Sequence, residues 1–99
     1  MARQYDVYQT ANKTYVLVLQ SDTFESLATR VVARLVPENW PEPPLKHLSP
    51  KLFLGDLTLR LQSTEMATLS RKEMGTFIGS AAHQRDEIIG ACDLLLTGY

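Results

Sequence analysis

Few side chains in this sequence are of the types that do chemistry, and their spacing assembles no catalytic pattern. The two histidines are His47 and His83. His47 sits in a proline-rich stretch. His83 falls in the first turn of an expected helix, where the helix dipole disfavours a cation. Each reads as a solvated or hydrogen-bonded histidine rather than a general base. Asp56 and Arg60 share an expected hairpin. Such a pair could hold phosphate or serve a nuclease, but a turn carboxylate and a solvent-facing cross-strand arginine are the simpler account. Asp86 and Glu87 suit the N-terminal end of the same helix. Cys92 is the single cysteine and can form no internal disulfide. On the apolar side of the helix it reads as a small buried hydrophobe. There is no phosphate loop, dinucleotide turn, HExxH or CxxC, and no metal-ligand spacing. No catalytic residue, cofactor or metal is expected.

The elements that would carry these residues fall into two groups. The first part of the chain alternates or is rich in β-branched and aromatic residues. Residues 4–8 and 15–20, around a turn cluster at 10–13, read as a hairpin. The second of these strands is apolar on both faces and is expected to be central, sharing sheet surface with a twin. Ser21 and Asp22 break the pattern, and residues 29–36 form a third strand. Residues 37–44 contain four prolines, which no ladder or helix interior tolerates. Trp40, within them, reads as a cover over the core or a partner contact. Residues 50–54 and 57–62 flank Gly55-Asp56, a two-residue loop suited to a type II′ turn. Leu57, Leu59 and Leu61 should point in, and Thr58, Arg60 and Gln62 out. A short strand at 65–69 and a Ser70/Glu73 capping box follow. Gly79-Ser80 then leads into a helix over 81–97. Its apolar positions form two stripes, 81, 88, 92 and 95, and 82, 89 and 96. Ser80 is its candidate cap, and Gly98 is the residue type that ends it.

Strands followed by one helix define an α+β domain, a small curled antiparallel sheet with the helix packed against it. At 99 residues the chain is one domain spanning 1–99, and 44% hydrophobic with 21% charged residues is globular composition. A formal charge of −1, with no run of lysine and arginine, argues against a strong direct grip on nucleic acid. Residues 2–5 hold no apolar stretch of the signal-peptide kind, and no run approaches the ~20 residues of a membrane helix. A soluble, cytoplasmic protein without membrane contact is the expectation.

Several segments together resemble the CcdB family of plasmid-maintenance toxins. They are Tyr5-Asp6-Val7-Tyr8, Gln20-Ser21-Asp22, Arg30-Val31-Val32, Leu54-Gly55-Asp56, Thr64-Glu65-Met66-Ala67, and the closing helix with Arg85, Ile88, Ala91, Asp93-Leu94-Leu95 and Gly98-Tyr99. The resemblance runs in order along essentially the whole chain. It implies an SH3-like curled sheet with a small accessory sheet and a C-terminal helix, assembled as a homodimer. It implies a toxin that is not an enzyme, binds the A subunit of DNA gyrase and traps the cleavage complex. A small CcdA-like antitoxin would neutralise it and supply the DNA contacts by which the pair represses its own operon.

The family's gyrase contact corresponds to Thr97, Gly98 and Tyr99. Gly98 matches, whereas Thr97 stands where the family carries a tryptophan that stacks on a gyrase arginine. Tyr99 offers a ring further along. The family's antitoxin contacts correspond to Thr23, Phe24, Asp93 and Leu96. Two alternatives stand beside this. One is a MazF/Kid-like endoribonuclease of the same fold, for which Arg60, Asp56 and His47 would be the candidates. The other is a CcdB homologue that has lost gyrase poisoning.

Overall fold

The computed structural model describes residues 2–98. Six strands are formed, β1 (Asp6–Gln9), β2 (Tyr15–Val18), β3 (Thr29–Pro37), β4 (Lys51–Leu54), β5 (Leu57–Ser70) and β6 (Thr76–Ser80), followed by one helix, α1 (Arg85–Thr97). The strands lie in one antiparallel sheet in the order β4-β5-β3-β2-β1-β6. The edge strands β4 and β6 approach each other, so that a side chain at Gly79 would touch Leu54. The sheet is therefore a nearly closed SH3-like barrel, an α+β fold with α1 on its flank.

The apolar runs explain the layering. Leu17 of β2 points into a core with Val7, Leu35, Leu52, Leu59 and Leu61, closed by Ile88 and Ala91 of α1. Val16 and Val18 point the other way, into a second core with Tyr8, Val32, Met74 and Ala2. The expectation that β2 needs a twin to bury its second face is corrected here, because the chain covers that face itself.

The pairing of β3 with β5 jumps from Ala33↔Met66 to Arg34↔Gln62 and leaves residues 63–65 unpaired on β5. This bulge joins the two strands expected at 57–62 and 65–69 into one. The small accessory sheet takes the form of the β3–β5 arm beyond the bulge, continuous with the main sheet. Ser63 is buried in the bulge and donates to the Leu48 carbonyl at 2.8 Å. It thereby ties down the proline-rich connection.

That connection overturns one expectation. Arg60 is only 4% exposed and Gln62 is also buried. The proline-rich segment lies over the face they occupy, and Arg60 Nη2 donates to the Glu42 carbonyl at 2.6 Å. Alternation located the leucines correctly but could not register a loop folding back over the polar side.

Two further differences concern short elements. β6 was not legible, because only Thr76, Phe77 and Ile78 separate Gly75 from Gly79, too few to display a period. Gly75 itself adopts φ +85°, and a Cβ there would lie 2.2 Å from the Gln9 carbonyl oxygen, so only glycine lets the chain enter β6. The α-helix proper begins at Arg85. Residues Ala82–Gln84 form a 3-10 turn whose N-cap is Ala81, and the N-cap of α1 is Gln84, so the expected Ser80 cap is not formed; Ser80 Oγ accepts from Ala82 N at 3.2 Å ahead of the turn. The Ser70/Glu73 capping box is formed, and its hydrogen bonds hold the Glu73 carboxyl below its usual value. Gly98 ends α1 in the left-handed conformation, its N–H donating to Leu94 O.

Gln84 fastens the helix to the sheet. Its side-chain amide occupies the open edge of β4, accepting from Phe53 N at 2.7 Å and donating to Lys51 O at 2.8 Å. A side chain here does the work of a seventh strand at an edge that would otherwise be free to pair. Gln84→Ala should lower stability by about 1–3 kcal/mol, the cost of leaving such groups without partners. An unchanged urea midpoint would show that this bridge does not hold the edge.

Candidate functional site

Among the concavities of the described surface, three bear on the residues singled out in the sequence. One, of about 610 Å³, is lined by His47, Ser49, Pro50, Glu87 and Leu94. His47 is exposed there, and neither Asp56 nor Arg60 lines the same space. Asp56 is an exposed hairpin residue, and Arg60 is locked under the Glu42 carbonyl. The three candidates for RNA chemistry are thus not brought together. His83 is exposed on the 3-10 turn. A second concavity, of about 620 Å³, lies between the β1–β2 loop and the β3–β5 arm, with Arg34, Glu65 and Glu73 on its walls. Arg34 stacks over Trp40, its guanidinium carbon 4.8 Å from the ring centre. Trp40 therefore covers an arginine and belongs to neither core. Among the described residues no group of three histidine, cysteine or acidic side chains could hold a metal.

The third concavity, about 410 Å³, is the most apolar. It runs between α1 and the 3-10 turn Asp22–Phe24. Phe24 forms one wall. Ile88, Ile89, Cys92, Asp93 and Leu96 form the opposite one, with Tyr5, Leu19, Val31 and Met66 completing it. Phe24 is 55% exposed and Leu96 71%, and Val31 and Ile89 also face solvent. Four large apolar side chains around one groove are more than scattered surface hydrophobes. The two apolar stripes of α1 are used differently: Ile88 and Cys92 of the first lie between the core and the groove, while Ile89 and Leu96 of the second are exposed and only line the groove.

Of the residues singled out in the sequence, Phe24, Asp93 and Leu96 share this groove. Thr23 is exposed on the same 3-10 turn but does not line it. Thr97 and Gly98 lie past the groove, exposed at the end of α1, with Thr97 Oγ1 donating to Asp93 O at 2.6 Å. Tyr99 lies outside the described residues. Tyr5, Val31, Met66 and Ile89 were not singled out. The second stripe pointed to Ile89, and nothing local marked the other three.

Burial tunes Tyr5 and Cys92 in the groove. Desolvation raises the Tyr5 phenol, with Arg85 opposing it. Burial, and then the neighbouring Asp93, push the Cys92 thiol up. Cys92 is half-buried in the groove wall, so it is neither the fully buried hydrophobe expected nor an activated nucleophile.

An antiparallel SH3-like barrel with a flanking C-terminal helix is an architecture found in proteins solved together with their antitoxins. The chain belongs to the CcdB protein family, whose match covers residues 4–98. Among solved structures, an endoribonuclease from a mycobacterial species superposes with a TM-score of 0.80 at 18% identity, over 95% of this chain and 89% of that one. An endoribonuclease in complex with its cognate antitoxin, also mycobacterial, gives 0.83 at 18% identity over 97% and 95%. A MazE-MazF complex from Deinococcus radiodurans gives 0.72 at 16% over 95% and 94%. At these identities the likeness is one of fold. No curated protein sequence is significantly similar. Among the described residues no helix is long and apolar enough to cross a membrane.

Because its thiol is raised, Cys92 should alkylate severalfold more slowly than glutathione at neutral pH, with the rate climbing as pH passes the ordinary thiol value of 9.0. Iodoacetamide labelling followed by mass spectrometry reads this. A rate equal to that of glutathione would contradict the burial of the groove wall.

Proposed function

We propose that this chain is the toxin of a type II toxin–antitoxin pair, acting on the A subunit of DNA gyrase by trapping the cleavage complex and neutralised by a small CcdA-like antitoxin. The family match across residues 4–98 is the observation that carries the reading. In it the protein is not an enzyme, needs no cofactor and meets DNA only through its antitoxin. The low net charge fits that division of labour.

The antitoxin contact is assigned to the apolar groove, with Phe24 and Leu96 as anchors and Asp93 and Thr23 at its rim. An amphipathic segment laid into such a groove is a recurrent recognition mode, and two of the solved structures of this fold carry antitoxins. A homodimer is part of the reading, supported by the exposed Phe53 and Phe77 on the two edge strands. Light scattering at micromolar concentration should report twice the 11.1 kDa chain mass, and a purely monomeric species would remove this part.

The gyrase contact is assigned to Thr97, Gly98 and Tyr99. Gly98 takes the left-handed turn at no steric cost. Tyr99 would then supply the aromatic face for a guanidinium, a contact that contributes about 2 kcal/mol when desolvated. Deleting Gly98 and Tyr99 should abolish accumulation of cleaved DNA by purified gyrase and leave antitoxin binding intact, since Gly98 does not line the groove and the apolar stripe of the helix ends at Leu96. Thr97→Trp should strengthen poisoning. If the truncated chain still traps cleavage complexes as well as the full chain, the assignment falls. If neither the full chain nor Thr97→Trp traps them, the protein is a family member without gyrase poisoning.

A second reading, a MazF/Kid-like endoribonuclease, is favoured by the endoribonucleases among the solved structures. The separation of His47 from Arg60 and Asp56 speaks against it. Incubation with a long single-stranded RNA should leave the RNA intact. Cleavage that Arg60→Ala abolishes would favour this second reading.

A further inference from the structure

Arg30 is a fully charged side chain type that is only 2% exposed. Burying a guanidinium is costly unless every donor is satisfied. Among the described residues, its hydrogen bonds all go to main-chain carbonyls and none to a carboxylate. Nε donates to Ala2 O at 3.0 Å, Nη1 to Leu27 O at 2.6 Å and Thr29 O at 2.9 Å, and Nη2 to Glu25 O at 2.9 Å. Two of the four acceptors, Glu25 and Leu27, belong to one segment, residues 22–28, and a third, Thr29, follows it as the first residue of β3. That segment has no strand and no buried side chain of its own, yet it carries the exposed Phe24 and Leu27.

Such a loop should be mobile, because nothing in it is anchored by apolar burial. The planar guanidinium supplies the anchor instead, in a geometry a lysine cannot reproduce. Other contacts support it: Gln20 donates to Phe24 O at 3.1 Å while accepting from Val31 N at 3.1 Å, Asp22 Oδ1 accepts from Gln4 N at 2.8 Å, and Arg71 Nη2 donates to the Glu25 carbonyl at the longer distance of 3.3 Å. Arg30 and Gln20 act next to the wall of the groove that Phe24 forms.

We propose that Arg30 is a positioning residue for the antitoxin groove: its fork of hydrogen bonds holds the 22–28 loop so that Phe24 stands as a preformed wall before any partner arrives. This rests on the assignment of the groove to the antitoxin. A wall fixed in advance spares the ordering cost of binding. Arg30 thus raises affinity without touching the ligand.

The test uses the full chain and, as probe, the purified small protein encoded by the reading frame adjoining this gene. In the free wild-type protein, the amides of Phe24, Glu25 and Leu27 should exchange slowly for so exposed a loop. Exchange at unstructured-peptide rates would overturn the proposal without any variant. Arg30→Lys and Arg30→Met should speed exchange over residues 22–28 while the amides of β2, β3 and β5 stay protected. If both variants unfold throughout, Arg30 is a requirement of the fold and not of the groove, and the proposal is overturned. Phe24→Ala should weaken probe binding at least roughly tenfold in the wild type but less than about threefold in the Arg30→Lys background, the non-additivity expected of coupled residues. Equal losses in both backgrounds overturn the role of Arg30 alone. No loss from Phe24→Ala in the wild type overturns the groove assignment, and this proposal with it.

Discussion

The pairing of β3 with β5 is the constraint on which the rest of the molecule depends. β5 runs for 14 residues, long for a strand, and a flat ribbon of that length could not serve a curled barrel. The unpaired residues 63–65 resolve this by breaking register between Ala33 and Arg34. On one side of the break, Leu59 and Leu61 line the core under α1. On the other, the arm of Met66 to Ser70 pairs with Thr29 to Ala33 and brings Val31 and Met66 to the groove. A bulge adds local twist and redirects side chains, and here it lets one strand build both the barrel and the surface beside it.

Two buried arginines follow one logic. Arg30 and Arg60 are both enclosed, and both donate to main-chain carbonyls of irregular segments. Each ties an irregular segment to the sheet through main-chain acceptors, Arg30 with four bonds and Arg60 with one. Arg60 secures the proline-rich connection, which cannot form ladder hydrogen bonds of its own. Arg30 secures the loop that bears Phe24. Charged residues that look like candidates for chemistry are therefore committed to structure, while the surface left for function is apolar.

That commitment bears on what the protein does. A hydrolytic site needs a base, an acid or nucleophile, and charge stabilisation within a few ångströms. His47, Asp56 and Arg60 sit in different surroundings, and Cys92 is held in its thiol form by burial and by Asp93. The surface also presents a groove with large exposed apolar side chains, and a helix end capped by glycine. The chain belongs to the CcdB family, and its fold is shared with proteins solved together with their antitoxins.

By itself the sequence determined the elements whose signals are local. The alternation of Leu57, Leu59 and Leu61, the Gly55-Asp56 loop, the Ser70/Glu73 box and the Gly98 cap depend on neighbours within a turn or a strand, so their residues suffice to read them. It also showed α1 with two apolar stripes, which is how Ile89 and Leu96 could be noticed at all. The tertiary structure decided whatever depends on segments distant along the chain. β6 exists because β1 offers it an edge, with Tyr8 opposite Phe77. Arg60 turns from solvent-facing to buried because residues 38–50 fold over it. The groove exists because residues 19–31 and 88–96, far apart in sequence, meet across the flank of the sheet. Local periodicity reports which side of an element is apolar. Only the packed chain determines whether that side meets a core, a loop or a partner.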